Sequence, residues 1–211
     1  MFNEKDLALS TELIEAITFF SQKGWSPATS TNYSVRSSYN PNNYIISRSG
    51  VDKSRFMYKD LILIDDEGQI LAPFDIQGVK SSAETEVHTD IYRRFPEAQC
   101  VLHTHSLLGT VFSQLYQKEG YLLIEGLELL KAFDGNVTHE MKEIVPIVPN
   151  SQHIPDIIRD MEENYKKYPD IHGFLIAGHG LYTWGKDIAT AKRHIEAYEF
   201  LFECLYTMRR M

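Results

Sequence analysis

The sequence is poor in cysteine and has no block of basic residues and no long apolar run. Its 211 residues include only two cysteines, Cys100 and Cys204, which favours a reducing compartment and excludes a disulfide framework. A formal net charge of −8 argues against a surface for nucleic acid or anionic membrane. No stretch approaches the roughly 20 apolar residues that span a bilayer, and the charged N-terminal segment lacks the apolar core of a signal peptide. We therefore expect a cytoplasmic protein that binds neither nucleic acid nor membrane.

Nucleotide-binding motifs are also missing. The sequence contains no Walker motif and no Rossmann glycine pattern, so a nucleotide cofactor is not expected. A small anionic substrate is still compatible with the acidic composition, because a few local donors suffice to bind one phosphate. Hydrophobic residues make up 43% of the chain, and no repeat or linker interrupts it. We expect a single domain over residues 1–211.

Short apolar strands are interspersed with amphipathic helices. Helical periodicity predicts helices over residues 7–23, 83–95, 107–116, 155–168 and from 188 onward. Apolar runs predict strands over residues 33–36, 44–47, 101–105, 121–124, 145–148, 173–176 and 181–184, with a hairpin that joins 61–64 to 69–72. Residues 126–133 are ambiguous. Several strand pairs are too close for helical crossovers, which favours a mixed or antiparallel sheet covered by helices.

Two histidines, His103 and His105, stand one residue apart at the end of an apolar run. Alternate side chains of a strand share a face, so the two rings project together, about 6.6 Å apart along the strand. Imidazoles placed in this way can converge on one metal ion. The alternative is a pair of surface histidines on an edge strand.

His179 is the candidate third ligand. It lies between two glycines after a strand of buried character, and these glycines allow a sharp turn and the close approach of another group. Three imidazoles and an open position match the ligand set of a catalytic zinc. If His179 is instead an unpartnered turn residue, His153 is the best substitute.

Two carboxylates are candidates for roles beside such a metal. Glu84 falls in the first turn of a predicted helix, where the helix dipole stabilises it; as a functional residue it would be a fourth ligand or a base. Glu128 lies between apolar neighbours. Acids in such positions usually face solvent, whereas a desolvated carboxylate near a metal would be a good proton acceptor.

Hydroxyl and amide side chains cluster in three turns, over residues 29–32, 47–50 and 81–82. Each turn alone has ordinary loop composition. Together, and with the last turn opening a helix, they could surround a phosphate with neutral donors. Lys53 could add a positive charge.

Five short motifs occur in order along the chain: PATSxNxS at 27–34, ISxSGVxK at 46–53, SAET at 82–85, HTHS at 103–106 and GHGLYxWG at 178–185. With these motifs the chain resembles the class II aldolase/adducin superfamily. Within it, the chain is most similar to the methylthioribulose-1-phosphate dehydratases of methionine salvage. The resemblance extends from about residue 7 to residue 206.

The resemblance implies a three-layer α/β/α fold with a mixed, largely antiparallel central sheet, assembled as a homotetramer with sites at subunit interfaces. It also implies one zinc ion per subunit at His103, His105 and His179. Glu128 takes the acid/base position of the dehydratases, and Glu84 matches the carboxylate that sugar-phosphate aldolases use at their metal.

The phosphate-loop positions implied by the resemblance are Asn32, Ser49, Gly50 and Ser82. Two residues depart from the family pattern in these loops. Thr31 stands where the family usually has glycine, and Ser81 stands where it usually has proline. The departures concern the geometry of the loops more than the metal site.

The implied reaction is dehydration of 5-methylthioribulose 1-phosphate to 2,3-diketo-5-methylthiopentyl 1-phosphate, with zinc polarising the C2 carbonyl and Glu128 removing the C3 proton. The nearest alternative is a sugar-phosphate aldolase or epimerase of the same superfamily, with which Glu84 is compatible. A second alternative is a non-catalytic, adducin-like interaction domain. Retention of all three histidines and both acids favours an enzyme.

Overall fold

The computed structural model describes residues 2–211, which contain one sheet of eight strands. The strands are β1 (Asn32–Arg36), β2 (Tyr44–Ser47), β3 (Leu61–Ile64), β4 (Cys100–Thr104), β5 (Tyr121–Glu125), β6 (Lys142–Val148), β7 (Gly173–Ile176) and β8 (Gly180–Gly185). Their order is β3-β2-β1-β4-β8-β7-β6-β5. Only β6 and β7 pair in parallel, and every other neighbouring pair is antiparallel. The expected mixed, largely antiparallel sheet is confirmed.

Five helices cover the two faces of this sheet: α1 (Glu4–Gln22), α2 (Thr85–Arg94), α3 (Leu107–Leu115), α4 (Ile154–Lys167) and α5 (Ile188–Arg210). Residues of α1, α3 and α5 pack in one apolar cluster, and residues of α2 and α4 pack in the other. Strand alternation sends Leu102 into the first cluster and Val101 into the second. Each large side chain so buried stabilises the fold by about 1.5–3 kcal/mol. The α/β/α layering is as expected, and none of the described helices is long and apolar enough to cross a membrane.

Strand direction brings the polar segments of the chain to one end of the sheet. Because β8 is antiparallel to both β4 and β7, the last two run in the same direction and finish at the same end. Strands β2 and β6 also finish there, and β1 begins there, with Asn32 opposite His103. We call this the histidine end of the sheet. Strand β5 runs antiparallel to β6, so it finishes at the opposite end.

The structure departs from the predicted elements at one hairpin. Residues 69–72 do not form a full strand, and the pairing is reduced to one isolated bridge between Ile64 and Ile70. The turn itself is present, with Gly68 N donating to Asp65 O at 3.1 Å. Ile70 and Phe74 instead pack against the apolar cluster beneath α2. The ambiguous segment contains a 3-10 turn, Glu128–Ala132.

Candidate active site

Three imidazoles converge at the histidine end of the sheet. His103 is the fourth residue of β4, His105 follows that strand, and His179 lies in the short connection between β7 and β8. One ring nitrogen from each lies within 4.8 Å of the others. Ring centroids are 4.6 Å apart for His103 and His105, and 4.5 Å apart for His105 and His179. The arrangement is that of a metal site.

The hydrogen bonds of His103 define which nitrogen faces the other rings. Its Nδ1 lies 3.0 Å from the carbonyl oxygen of Leu181, so Nδ1 carries the hydrogen and donates it. The lone pair on Nε2 then faces Nε2 of His105 at 2.7 Å. At this distance Nε2 of His105 donates a hydrogen bond to that lone pair. A carbonyl that fixes the tautomer of a ligand histidine is a usual feature of metal sites.

Burial keeps two of these rings neutral. It lowers the pKa of His103 well below the usual 6.5 and the pKa of His105 to about 4, with the neighbouring imidazoles adding to the effect. Both rings are therefore unprotonated at neutral pH, as metal ligation requires.

Glu84 contacts two of the three histidines. Its side chain is 16% exposed, and Oε1 lies 3.0 Å from Nε2 of His179. Oε2 lies 3.5 Å from Nε2 of His103 and accepts hydrogen bonds from Asn32 Nδ2 at 2.7 Å and from the Tyr182 hydroxyl at 3.0 Å. Glu84 is the residue immediately before α2, where the helix dipole also favours an anion.

These contacts keep Glu84 ionised. Burial raises the pKa of its carboxyl, but the hydrogen bonds from His179 and the Asn32 amide outweigh burial and hold the pKa well below 4.5. A permanently charged carboxylate suits a ligand or a counter-charge to a cation. It does not suit a general acid at neutral pH.

Glycine is required where the two ligand-bearing strands meet. A Cβ on Gly180 would lie 2.8 Å from Cδ2 of His105 and 3.0 Å from Cε1 of His103, and it would also clash with the backbone oxygen of Thr104. Gly178 has φ +64, a left-handed conformation that favours glycine. The flanking glycines thus permit the close approach that the sequence suggested.

A cavity of about 250 Å³ lies beside the histidines, formed by the three polar turns. It is lined by Thr29, Ser30, Thr31, Asn32, Ser47, Arg48, Ser49, Gly50, Ser82, Ala83, Glu84 and His105. The four residues assigned to phosphate loops by resemblance therefore lie together. Arg48 pairs with Asp60 at 2.7 Å, so most donors that face the cavity are neutral.

Lys53 is not among the described residues that line this cavity. Its side chain is buried, and Nζ donates to the carbonyl oxygen of Val51 at 3.1 Å. Burial lowers its pKa to about 8, against the opposing effect of Asp60 and Asp52. Lys53 therefore contacts the backbone of its own loop and does not line the cavity.

Thr31 adopts a strained backbone conformation in the cavity wall. Its φ is +69, a left-handed value that is rare for a β-branched residue. This conformation accounts for the glycine that the family usually has at the position. Strain of this kind concentrates at functional sites.

A second cavity, of about 540 Å³, opens on the other side of the histidines. It is lined by Pro27, Glu84, His105, Thr110, Asn150, Gln152, Gly178 and His179. Glu84 and His105 are common to both cavities. Among the described residues, Glu84 is the only carboxylate that lines either one.

Glu128 is not brought to the histidines within one chain. Its side chain is 71% exposed and pairs with Lys131, in the 3-10 turn that follows β5. Because β5 finishes at the end opposite the histidine end, the seven-residue strand β6, roughly 20 Å long, separates the two regions. Contact with Lys131 lowers the pKa of Glu128.

Two residues of the site were missed by sequence reasoning. Tyr182 stacks on His103 with ring centroids 4.0 Å apart and donates to Glu84. His88, in α2, is fully buried and contacts Asn32. The spacing of four residues between Glu84 and His88 was the available signal, since it places both on one helix face. His153, the substitute ligand, is instead exposed beside Asp156.

Residues 11–206 match the family model described as the class II aldolase and adducin N-terminal domain. The chain is 46% identical over 198 residues to a methylthioribulose-1-phosphate dehydratase of Marinobacter nauticus, covering 93% of this chain and 92% of that protein. It is 43% identical over 203 residues to the protein of the same name from Stenotrophomonas maltophilia strain K279a, covering 96% and 92%.

Solved structures give the same fold. An aldolase II superfamily protein from Pseudomonas syringae superposes with a TM-score of 0.76 at 22% identity, covering 97% of this chain and 76% of the other. L-fuculose-1-phosphate aldolase from Thermus thermophilus superposes with a TM-score of 0.72 at 21% identity, covering 95% and 94%. At these identities the likeness establishes the fold alone.

Proposed function

This chain belongs to the class II aldolase and adducin family, and from that premise we propose that it is a lyase that dehydrates 5-methylthioribulose 1-phosphate. The product is 2,3-diketo-5-methylthiopentyl 1-phosphate, an intermediate of methionine salvage. The observation that carries the proposal is identity of 43–46% to dehydratases over more than 90% of the chain. The juxtaposed histidines and polar cavity supply the chemistry that this reaction needs.

One zinc ion per subunit is proposed at His103, His105 and His179. The neutral rings, the fixed tautomer of His103 and the charge of Glu84 support this ligand set. When bound there, zinc would polarise a substrate carbonyl and lower the pKa of the adjacent C–H bond. Glu84 offsets the positive charge, as a ligand or as a partner of His179.

The phosphate of the substrate is proposed to bind in the smaller cavity. Ser49, Gly50, Ser82 and Asn32 line this space, and the start of α2 favours an anion there. The reacting carbons then lie beside the histidines, and the methylthio end extends into the larger cavity. Shared lining by Glu84 and His105 supports this path.

The acid/base group is proposed to come from an adjacent subunit. Glu128 takes the C3 proton and, once protonated, returns it to the C4 hydroxyl, which leaves as water. The enol that remains gains a proton at C4 and loses the C3 hydroxyl proton to give the 2,3-diketone. Its exposure, and its location far from its own histidines, fit a residue that completes the site of a neighbour. In a closed homotetramer each subunit can supply its Glu128 to the site of one neighbour, so that every site is complete.

Three further assignments belong to the proposal. The free cysteines Cys100 and Cys204 support a cytoplasmic location. An aldolase or epimerase reaction is disfavoured because the relatives at 43–46% identity are dehydratases. The convergence of the three histidines supports catalysis over an adducin-like interaction role.

Product analysis tests the reaction. We expect the zinc-loaded protein to convert methylthioribulose phosphate to the ultraviolet-absorbing diketone, and removal of zinc with a chelator to abolish conversion until zinc is restored. Glu128→Gln should lower kcat by about 10²–10⁴-fold, because the amide cannot accept the C3 proton. Cleavage to two shorter carbonyl fragments would instead identify an aldolase.

Mixing subunits tests where Glu128 acts. Glu128→Gln and His179→Ala should each be nearly inactive alone. Co-expressed in equal amounts, they should recover about one quarter of wild-type activity, since that share of interfaces joins an intact histidine set to an intact Glu128. The matched control is His105→Ala with His179→Ala, which cannot complement. No recovery in the first mixture would contradict action across the interface.

A further inference from the structure

A buried row of hydrogen bonds runs from α2 to the wall of the phosphate cavity. The Tyr92 hydroxyl lies 2.9 Å from Ser34 Oγ, which lies 2.7 Å from Nδ1 of His88. Nε2 of His88 is within hydrogen-bond distance of Asn32 Oδ1. His88 and Ser34 are fully buried, and Tyr92 is 2% exposed. No residue of this row except Asn32 lines the cavity.

The orientation of the Asn32 carboxamide fixes the direction of every bond in the row. Asn32 lies 2.7 Å from Oε2 of Glu84, and only its NH₂ group can face a carboxylate at that distance. Oδ1 must then face His88, so Nε2 of His88 carries the hydrogen and Nδ1 is an acceptor. Ser34 donates to Nδ1 and accepts from Tyr92. Burial, which lowers the pKa of His88 to about 3, keeps the ring in this neutral form.

We propose that His88 is a positioning residue for phosphate binding, which holds the Asn32 carboxamide with its NH₂ group toward the substrate. One hydrogen of that group binds Glu84. The other points to Ser82 Oγ at 3.3 Å, a long contact that leaves it available to a phosphate oxygen. The inference rests on the proposed phosphate cavity, and it assigns a role to a residue that does not contact that cavity.

Loss of the His88 donor has a defined consequence for Asn32. Oδ1 would become a buried acceptor without a partner, which is unfavourable. The carboxamide would then turn toward another donor and away from Glu84 and Ser82. This movement takes its NH₂ group out of the cavity wall, where the phosphate needs a donor.

Calorimetric titration with inorganic phosphate tests the proposal on the zinc-loaded protein. His88→Phe retains a ring of similar size without hydrogen bonds, and we expect it to weaken phosphate binding by about tenfold or more. The KM for the sugar phosphate should rise in parallel. Zinc content should stay at the wild-type level, because the three ligands are unchanged. His88→Gln, which keeps an N–H near the position of Nε2, should recover most of the affinity.

A His88→Phe variant that binds phosphate like the wild type would overturn the positioning role alone. Failure of the wild-type protein to bind phosphate would overturn the proposed cavity, and this inference with it. Nitrogen NMR of the wild-type protein provides a readout that does not depend on folding of a variant. We expect the neutral Nε2–H tautomer of His88, and a neutral Nδ1–H tautomer would refute the proposal.

Discussion

At the scale of single residues, the site depends on groups whose protonation is set by burial. His103 and His105 are neutral because they are buried, whereas Glu84 stays charged because donors surround it. These three groups are therefore in the form that binds a cation at neutral pH, and their binding to a metal releases no proton from them.

Thr31 provides a test of strain in the phosphate cavity. Thr31→Gly should raise the free energy of unfolding by up to about 1 kcal/mol, because glycine adopts φ +69 without steric cost, although it also increases the entropy of the unfolded chain. Urea unfolding measures the change. Thr31→Ser retains both Cβ and the hydroxyl and should match the wild type. A glycine variant less stable than the serine variant would show that Thr31 is not strained.

At the scale of elements, the ligands depend on how closely β4 and β8 approach. Gly180→Ala should reduce zinc affinity by about 10–100-fold, because the added methyl group displaces His103 and His105. Competition with a chromogenic chelator measures the affinity. Gly120→Ala is the control: its φ of +76 makes it strained too, but its Cβ would meet no atom within 4 Å. Equal zinc loss in both variants would mean that general destabilisation is the cause.

Elements with a clear period were predictable from the sequence, and elements that depend on distant partners were not. The helix α5 and the strand that carries His103 follow from spacing alone. The second arm of the predicted hairpin is not a full strand, and its Ile70 pairs only as an isolated bridge while Ile70 and Phe74 pack against the apolar cluster that contains residues of α2. A sequence pattern shows the period of an element. It does not show whether the apolar side chains will pack at the sheet edge or against a helix.

The candidate site shows the same limit. The His103 and His105 pair follows from strand alternation, and His179 from its glycines. The location of Glu128 depends on the direction of β5 relative to β6, which no local pattern specifies. His88 resembles any core residue in sequence, and its role depends on Ser34, 54 residues away along the chain. The assignment of residues 1–211 to a single domain also stays a prediction.

At the scale of the whole molecule, a buried acid makes stability depend on pH. Glu199 on α5 is 6% exposed, its Oε1 has no hydrogen-bond partner, and burial raises its pKa to about 8. The folded protein therefore holds a proton that the unfolded chain releases above about pH 4.5. The resulting stabilisation is complete below that pH and is lost as the pH rises to about 8.

Glu199→Gln should remove this dependence. Relative to the wild type, the variant should gain roughly 2–4 kcal/mol of unfolding free energy between pH 5 and pH 8. Unfolding curves at both pH values measure the difference. Glu196→Gln, on the exposed face of the same helix, should follow the wild type at both. If the unfolding free energy changes equally between pH 5 and pH 8 in Glu199→Gln and in the wild type, Glu199 is ionised in the folded protein.

The scarcity of free positive charge in the phosphate cavity also affects how substrate reaches the protein. A molecule with a net charge of −8 repels a dianion at long range, and the one arginine of the cavity is already paired with Asp60. Electrostatic steering toward the cavity is therefore weak. The net long-range interaction with the substrate is a repulsion, and added salt screens it. Encounter by unassisted diffusion should be slightly faster at higher ionic strength. Selectivity for a phosphate then comes from short-range dipoles after contact.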